Sequence, residues 1–470
     1  MTDKINKSWL TKRTGDPFAD TGGYTLKYLL EESHYKDQSV LQLIETIAKI
    51  YVYQWGAGQL SPFFLNSTIT QPSFKGERKI QETIKFYKGM IEESVPYEHG
   101  YCRILGVKTK LFAGARSNHL LSGSGTFINF HHAFQEGIML SKEALIRMFF
   151  LPFGTIRLSD KIAVLGSNNE RIVQTFVAEN VKNNISRIAA RNANSMLASE
   201  FNNPASALFD FVKSYMNNDF YRIIKEEETT AINLYHFTNF GASPEVVLHT
   251  FSAPLFDFYR QMMYRKLVGD WQKFVRAHYY NSKHKNVTYD ASDETYDSKK
   301  EQNPLKPNQY EKWINWIYQD LLNNKSILPK ILKWSKAHPF KFKIVRLYQQ
   351  YYSNMNEKTL DKIEQIADFI VSDRNLIRRR LGTLNRANRI YEIRRFLLSL
   401  VNNNHAQGNK EPLFSLSEYV NYLFPDGSSG REIRDLLLIA VYQKMHEQGI
   451  FFDDPIEEVE TEENLIEESN

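Results

Sequence analysis

From Leu360 onward a helical period takes over the chain, with large apolar residues returning every three or four positions. Leu360, Ile363, Ile366, Ala367 and Ile370 share one face, as do Ile377, Leu381 and Leu384, then Phe396, Leu397 and Leu400. Ile433, Leu436, Leu437, Ala440 and Val441 repeat the pattern. Ser415 followed by Glu418 makes a capping box for a short helix, and Pro425 to Gly430 breaks the chain before the last one. An all-helical bundle is predicted over 310–452. Before it, 281–309 reads "NSKHKNVTYDASDETYDSKKEQNPLKPNQ", with scarcely any large aliphatic residue, as a polar linker or mobile insertion does.

The first 280 residues are mixed. The helical period is clear in "SVLQLIETIAKIYVYQW" and "NNERIVQTFVAENVKNNISRIAARN". "TIRLSDKIAVLG" has two short apolar runs around Ser159-Asp160, as a hairpin does, and "TTAINLYHFTNFG" suits another strand. The expected fold class is therefore α+β: a mixed N-terminal domain over 1–280 followed by the helical bundle, with an acidic tail at 453–470.

Charge is distributed unevenly. Nine of the 54 acids lie in the last eighteen residues, which hold no base, so the preceding 452 residues carry 59 bases against 45 acids, a formal +14. A basic body favours nucleic acid as partner, through neutralised phosphates and released counterions. One cysteine excludes an intramolecular disulfide framework and any zinc site built on two or more thiolates. The first residues lack a signal-peptide apolar core, and no apolar run reaches the roughly 20 residues a bilayer needs, so a cytoplasmic location without membrane attachment is expected.

No P-loop or Gly-x-Gly-x-x-Gly opening a helix occurs, which argues against nucleotide hydrolysis. His119, Asn129, His131 and His132 raise a metal-dependent nuclease of His-Asn-His type, but no acid precedes His119 and no histidine follows Asn129 at helical spacing. Cys102, with Leu105-Gly106, has the outline of a zinc knuckle whose second sulfur is replaced by leucine. Its neighbourhood offers cations for phosphate (Lys108, Lys110, Arg116), polar groups able to pair with base edges (Asn118, Ser124, Asn129) and a Gly-Ser-Gly turn at 123–125. Asparagines in loops also cap turns, and that alternative stays open for Asn118 and Asn129. The stretch from Asn375 to Val401 reads as a single helix dense in arginine (Arg374, Arg378, Arg379, Arg380, Arg386, Arg389, Arg394, Arg395), with only Asp373 and Glu392 as nearby acids; such a stripe suits a nucleic-acid backbone.

These pieces together resemble the large subunit of a type I-B CRISPR Cascade. The resemblance rests on "TGDPFADTGG" near the start, "SGSGTFINFHH" followed by "LSKEALIRMFFLPFGTIRLSDKIAVLGSNN", and "INLYHFTNFGASPEV" ahead of a helical C-terminal region. Arg13 stands where that family has tryptophan, and the paired Cys-x-x-Cys motifs are reduced to Cys102, so neither metal nor cofactor is expected. The resemblance implies a non-catalytic subunit of an RNA-guided complex that binds guide RNA and target DNA, reads a flanking motif and stabilises the R-loop. Lys108, Lys110, Arg116, Asn118, Ser124 and Asn129 would read that motif, and Arg378, Arg379, Arg386 and Arg389 would follow a strand. Thr14, Gly15, Asp16, Gly22 and Gly23 would contact the guide's 5′ handle or the handle-binding subunit, so that Gly22→Val and Gly23→Val would leave the isolated chain folded. Further partners implied are the Cascade backbone, a small subunit of about 116 residues from an internal start near Met355, and a helicase-nuclease or transposition factor.

Overall fold

The structure, a computed structural model, describes residues 4–31, 33–120, 138–223, 229–238, 245–284, 287–298, 303–425 and 430–452. It divides into two compact units: Met1–Asn218 with Glu228–Ala253 and Lys312–Ile314, and Asp219–Glu227 with Pro254–Glu311 and Asn315–Asn470. The α+β class holds, and among the described residues no helix is long and apolar enough to cross a membrane.

In the first unit, α1 (Lys7–Thr11), α2 (Pro17–Glu31), α3 (Val40–Ile50) and α4 (Glu77–Glu92) precede strands β1 (Glu98–Tyr101), β2 (Lys108–Gly114) and β3 (Ile138–Leu140). Helix α5 (Lys142–Phe150) leads to the hairpin of β4 (Ile156–Leu158) and β5 (Lys161–Ser167), where Ser159 takes φ 58°. Helices α6 (Glu170–Ala189) and α7 (Pro204–Asn218), then strands β6 (Ile232–Thr238) and β7 (Glu245–Phe251), complete it. β4 to β7 form one antiparallel sheet in sequence order, with Ile162 opposite Phe237 and Leu165 opposite Leu234. Both expected helices, the hairpin and the strand are present, and Ser39 starts α3 with a capping box closed by Gln42.

The glycine-rich segment is the start of a buried helix. Asp16 caps α2, its Oδ1 accepting the N–H groups of Phe18 and Ala19 at 2.9 and 2.7 Å, and Pro17 occupies the first helical position. Every residue from Ala19 to Leu26 is buried, and the Thr21 and Thr25 hydroxyls donate back to the carbonyls of Pro17 and Thr21, each at 2.8 Å. Helix α5 is buried along its whole length, and α2 packs on it. The contact is close enough to exclude a side chain. A Cβ at Gly22 would lie 2.0 Å from the Arg147 carbonyl oxygen, and one at Gly23 would meet the Arg147 guanidinium at 2.8 Å and the Leu10 carbonyl at 3.0 Å. Gly22 and Gly23 therefore serve the fold, and the expectation that valine is tolerated at both is corrected.

In the second unit the polar stretch at 281–309 is not merely a linker. Strands β8 (Val287–Asp290) and β9 (Thr295–Ser298) pair antiparallel, and Tyr296 is buried, its hydroxyl donating to the Arg276 carbonyl at 2.9 Å. Arg276 pairs with Glu294 and Glu311, and the Tyr310 hydroxyl donates to the Glu294 carbonyl at 2.7 Å. Aromatic rings and one arginine supply the anchoring that aliphatic residues would otherwise provide. Residues 254–311 consequently group with the C-terminal helices rather than with the N-terminal domain.

The helical period of the C-terminal region is realised in α8 (Glu357–Val371), α9 (Arg374–Arg386), α10 (Ile390–Ala406) and α11 (Gly430–Glu447). The Ser415–Glu418 capping box forms, with Ser415 N–H donating to the Glu418 carboxylate at 2.7 Å. Helix α11 packs against α8 and against the helix Leu328–Ala337. A product started at Met355 would begin just before Asn356, the N-cap of α8, and would lack that second neighbour of α11.

Replacing Gly22 by valine should abolish cooperative unfolding or lower stability by about 3 kcal/mol or more, because the clash is with backbone that cannot rotate away. Gly15, with φ +90° and no atom within 4 Å of its Cβ position, should tolerate asparagine with less than about 1 kcal/mol lost. Urea unfolding of both variants checks the contrast.

Candidate nucleic-acid interface

The proposed handle contact is built into the first unit. Asp20 gathers the turn that precedes α2: its Oδ1 accepts from the Thr14 N–H and hydroxyl at 2.7 Å each, and its Oδ2 from the Gly15 N–H at 2.9 Å. Arg13 donates to the carbonyls of Ser167 and Asn168, both at 3.0 Å. Burial lifts the Asp16 carboxyl above its ordinary range. Arg13, Gly15 and Asp20, with Tyr24, Glu170 and Asn233, line a cavity of about 180 Å³. Of the proposed handle contacts Gly15 lines this recess, Thr14 and Asp16 are its sequence neighbours, and Gly22 and Gly23 face α5.

Two of the proposed motif readers are committed locally. Asn118 is buried, its Oδ1 accepting the Ala115 N–H at 2.8 Å and its Nδ2 donating to the Ala113 carbonyl at 3.0 Å, which is the turn-capping alternative. Lys110 pairs with Glu93 and sits over the Tyr97 ring, 4.5 Å from its centroid. Lys142, 9% exposed at its side chain, reaches the other oxygen of Glu93 at 2.8 Å. Glu93 takes φ 60° at the end of α4, and its two ammonium partners hold its carboxyl down at about 2. Lys108 and Arg116 are exposed, and Ser124 and Asn129 lie outside the described residues.

Cys102 is buried and closes a tight turn: its sulfur accepts the N–H groups of Leu105 at 3.5 Å and Ser141 at 3.3 Å, with Gly106 at φ +67°. The knuckle-like outline in the sequence is thus a backbone turn. Desolvation pushes the His119 imidazole down to about 4, and His131 and His132 lie outside the described residues. Among the described residues no three His, Cys, Asp or Glu side chains come together as metal ligands would.

The arginine stretch is two helices rather than one. The chain leaves helical geometry at Ala387, and α10 starts after Arg389, where the Glu392 carboxylate accepts the N–H groups of Asn388 and Arg389 at 2.9 Å each. That cap consumes the acid nearest the arginines. Arg434 of α11 holds the break from below through the Ala387 carbonyl and the Asn388 side chain. Arg380 is buried and donates to the Phe369 and Ile370 carbonyls at 3.0 Å each, capping the C-terminal end of α8. Arg374, Arg378, Arg379, Arg386, Arg389, Arg394 and Arg395 are exposed. Of these, Arg374, Arg379, Arg389 and Arg395 form no ion pair among the described residues.

Sequence reasoning passed over Arg147, Glu93 and Lys142, which organise the first unit. The signal was present in "LSKEALIRMFF": a helix apolar on all sides that retains Lys, Glu and Arg implies a buried partner for each.

Residues 333–469 match the family model described as the DevT C-terminal domain. The match lies within the C-terminal helical region of the chain. No curated protein matches the chain.

Glu93 gives a pH signature. Its carboxyl is held below the unfolded value of about 4.3, so the stabilisation is complete above that pH and is lost as pH falls toward about 2. Glu93→Gln should cost about 1–2 kcal/mol at pH 7 and narrow the gap to wild type as pH drops from 5 to 3. Urea midpoints across that range measure it; a gap independent of pH would show that the two lysines contribute nothing through charge.

Proposed function

We propose that this chain is a non-catalytic large subunit of a Cascade-type RNA-guided complex, bound to guide RNA and target DNA and acting as a scaffold for a downstream helicase-nuclease or transposition factor. One observation carries the reading: the region that matches the DevT C-terminal domain is also the region with the exposed arginines of α9 and α10. Guanidinium groups in that setting bind phosphate by charge and bidentate hydrogen bonds, and carry no base information. A strand held there would be stabilised irrespective of sequence, as an R-loop requires.

Motif reading is assigned to the first unit, where the exposed Lys108 and Arg116 would hold phosphate and Ser124 and Asn129 would meet base edges. In this reading Asn118 and Lys110 shape the platform. The recess lined by Arg13, Gly15 and Asp20 is assigned to the guide handle or the handle-binding subunit.

The test is the salt dependence of target binding by the complex assembled with this chain. Changing Arg379, Arg386 and Arg389 to alanine should weaken binding equally for all flanking motifs and reduce the salt slope by about 0.7 to 0.9 per lost phosphate contact. Asn118→Ala should leave the motif profile unchanged, while Arg116→Ala weakens all motifs together. An unchanged salt slope in the arginine variant would contradict the backbone role of α9 and α10.

A further inference from the structure

A second cavity of the first unit, about 140 Å³ in volume, is lined by α4, by Phe149 of α5 and by the segments 64–69 and 117–118. The Leu65 N–H donates to the Arg116 carbonyl at 2.8 Å and joins the two segments. Phe64, Phe86, Tyr87 and Phe149 give the cavity aromatic walls, and no charged side chain lines it. A cavity of about 150 Å³ holds one benzene ring, so this space suits a single planar, neutral ring.

The polar groups of the lining fall into two sets. Ser67 is bonded to Thr70, Thr68 to Thr83 and Thr83 to the Lys79 carbonyl, and Asn118 closes its own turn. The side chains of Tyr87, Ser117 and Asn66 make no hydrogen bond among the described residues. Tyr87 is 4% exposed, and burial lifts its hydroxyl above the ordinary range with no hydrogen bond to offset it. Buried hydroxyls are normally bonded, so an unbonded one lining a cavity leaves a donor and an acceptor for whatever enters. Ser117 is half-buried and Asn66 exposed, so the three groups run from the interior to the surface. A pyrimidine base matches this set: it is one uncharged planar ring with donors and acceptors on its edge, and proteins stack such rings on aromatic side chains when they are turned out of a strand. Cations for its phosphates are close in sequence. Lys79, one turn before Thr83 on α4, and Arg116, next to Ser117, form no ion pair among the described residues.

We propose that this cavity receives one pyrimidine base turned out of a nucleic-acid strand, its edge bonded by the Tyr87 and Ser117 hydroxyls and the Asn66 amide, with Arg116 and Lys79 holding the adjoining phosphates. The proposal rests on the reading of the first unit as the motif-facing part of a nucleic-acid-binding protein. A purine, with its second fused ring, exceeds the space. The site therefore selects ring size at one position of an unpaired strand, without reading a base pair in a groove.

The full chain is titrated with labelled strands of about eight nucleotides at about 50 mM salt, abasic throughout except for one central position. That position holds no base, thymine or adenine in deoxyribose strands, and no base or uracil in ribose strands. A central pyrimidine should tighten binding about tenfold over the abasic strand, and adenine by less than about twofold. Tyr87→Phe combined with Ser117→Ala should bring the pyrimidine gain below about twofold and leave abasic binding unchanged. Because neither hydroxyl is bonded within the protein, this double variant should keep the wild-type urea midpoint; a lowered midpoint would show that the hydroxyls serve the fold and overturn the proposal. Lys79→Ala with Arg116→Ala should weaken all strands alike. A larger gain for thymine assigns the base to target DNA, and a larger gain for uracil assigns it to the guide RNA. A pyrimidine gain that survives loss of both hydroxyls overturns the proposal, because the base then binds elsewhere. Equal binding of pyrimidine and abasic strands, still weakened by the cation changes, overturns the base site, keeps the phosphate-binding face and leaves the cavity to an aromatic side chain of a protein subunit. If neither the base nor the cation changes alter binding, the nucleic-acid face is refuted together with the site.

Discussion

The first unit depends on one buried cation. Arg147 is fully buried in α5, and its guanidinium donates to the Trp9 carbonyl at 2.9 and 2.7 Å, to the Lys12 carbonyl at 2.6 Å and to the Ala19 carbonyl at 3.4 Å. Asp20 stands 3.5 Å from it. A charge taken out of water costs several kcal/mol unless its donors are satisfied, and here the carbonyls left free at the end of α1 satisfy them. Asp20 completes the node by gripping Thr14 and Gly15. For the guanidinium to reach across, α2 must lie almost against the α5 backbone, and only glycine at 22 allows that approach. The glycines, the aspartate and the arginine are thus one device, spread over two segments far apart in sequence.

This explains which parts of the fold were legible beforehand. Elements with a regular apolar period or a cap in sequence, such as α3 with Ser39 and Gln42, α8 with Ile363, Ile366 and Ile370, and the β4–β5 hairpin, were readable because local chemistry and burial agree there. The role of "TGDPFADTGG" was not, since the atoms that require Gly22 belong to Arg147, more than a hundred residues away. The polar stretch around Tyr296 misled for a related reason: an aromatic hydroxyl bonded to a carbonyl anchors a hairpin without the aliphatic signature used to recognise one. The single arginine-rich helix became two because Glu392 caps a new start, a signal present in sequence but masked by continuous helical period.

Of the candidate site, the arginines were legible and their sorting was not. Arg380 looks identical to Arg379 in sequence, yet one position of register, about 100° around the helix, sends it to the carbonyls ending α8 while its neighbour faces solvent. In the first unit Lys108 and Lys110 share one face of β2 and differ in position along it: Lys108 is exposed, whereas Lys110 pairs with Glu93. Composition locates the charge, whereas backbone register decides which charges remain available to a partner. On α9 and α10 that sorting leaves Arg374, Arg379, Arg389 and Arg395 exposed.

A component of a Cascade-type assembly copurifies with the guide-bound particle. Native mass spectrometry of the complex purified through its guide RNA, after co-expression with the neighbouring genes and a CRISPR array, tests this most directly. The account predicts a particle whose mass includes this 55.0 kDa chain. A complete guide-bound particle that forms without it, with this chain left free in solution, would contradict the claim.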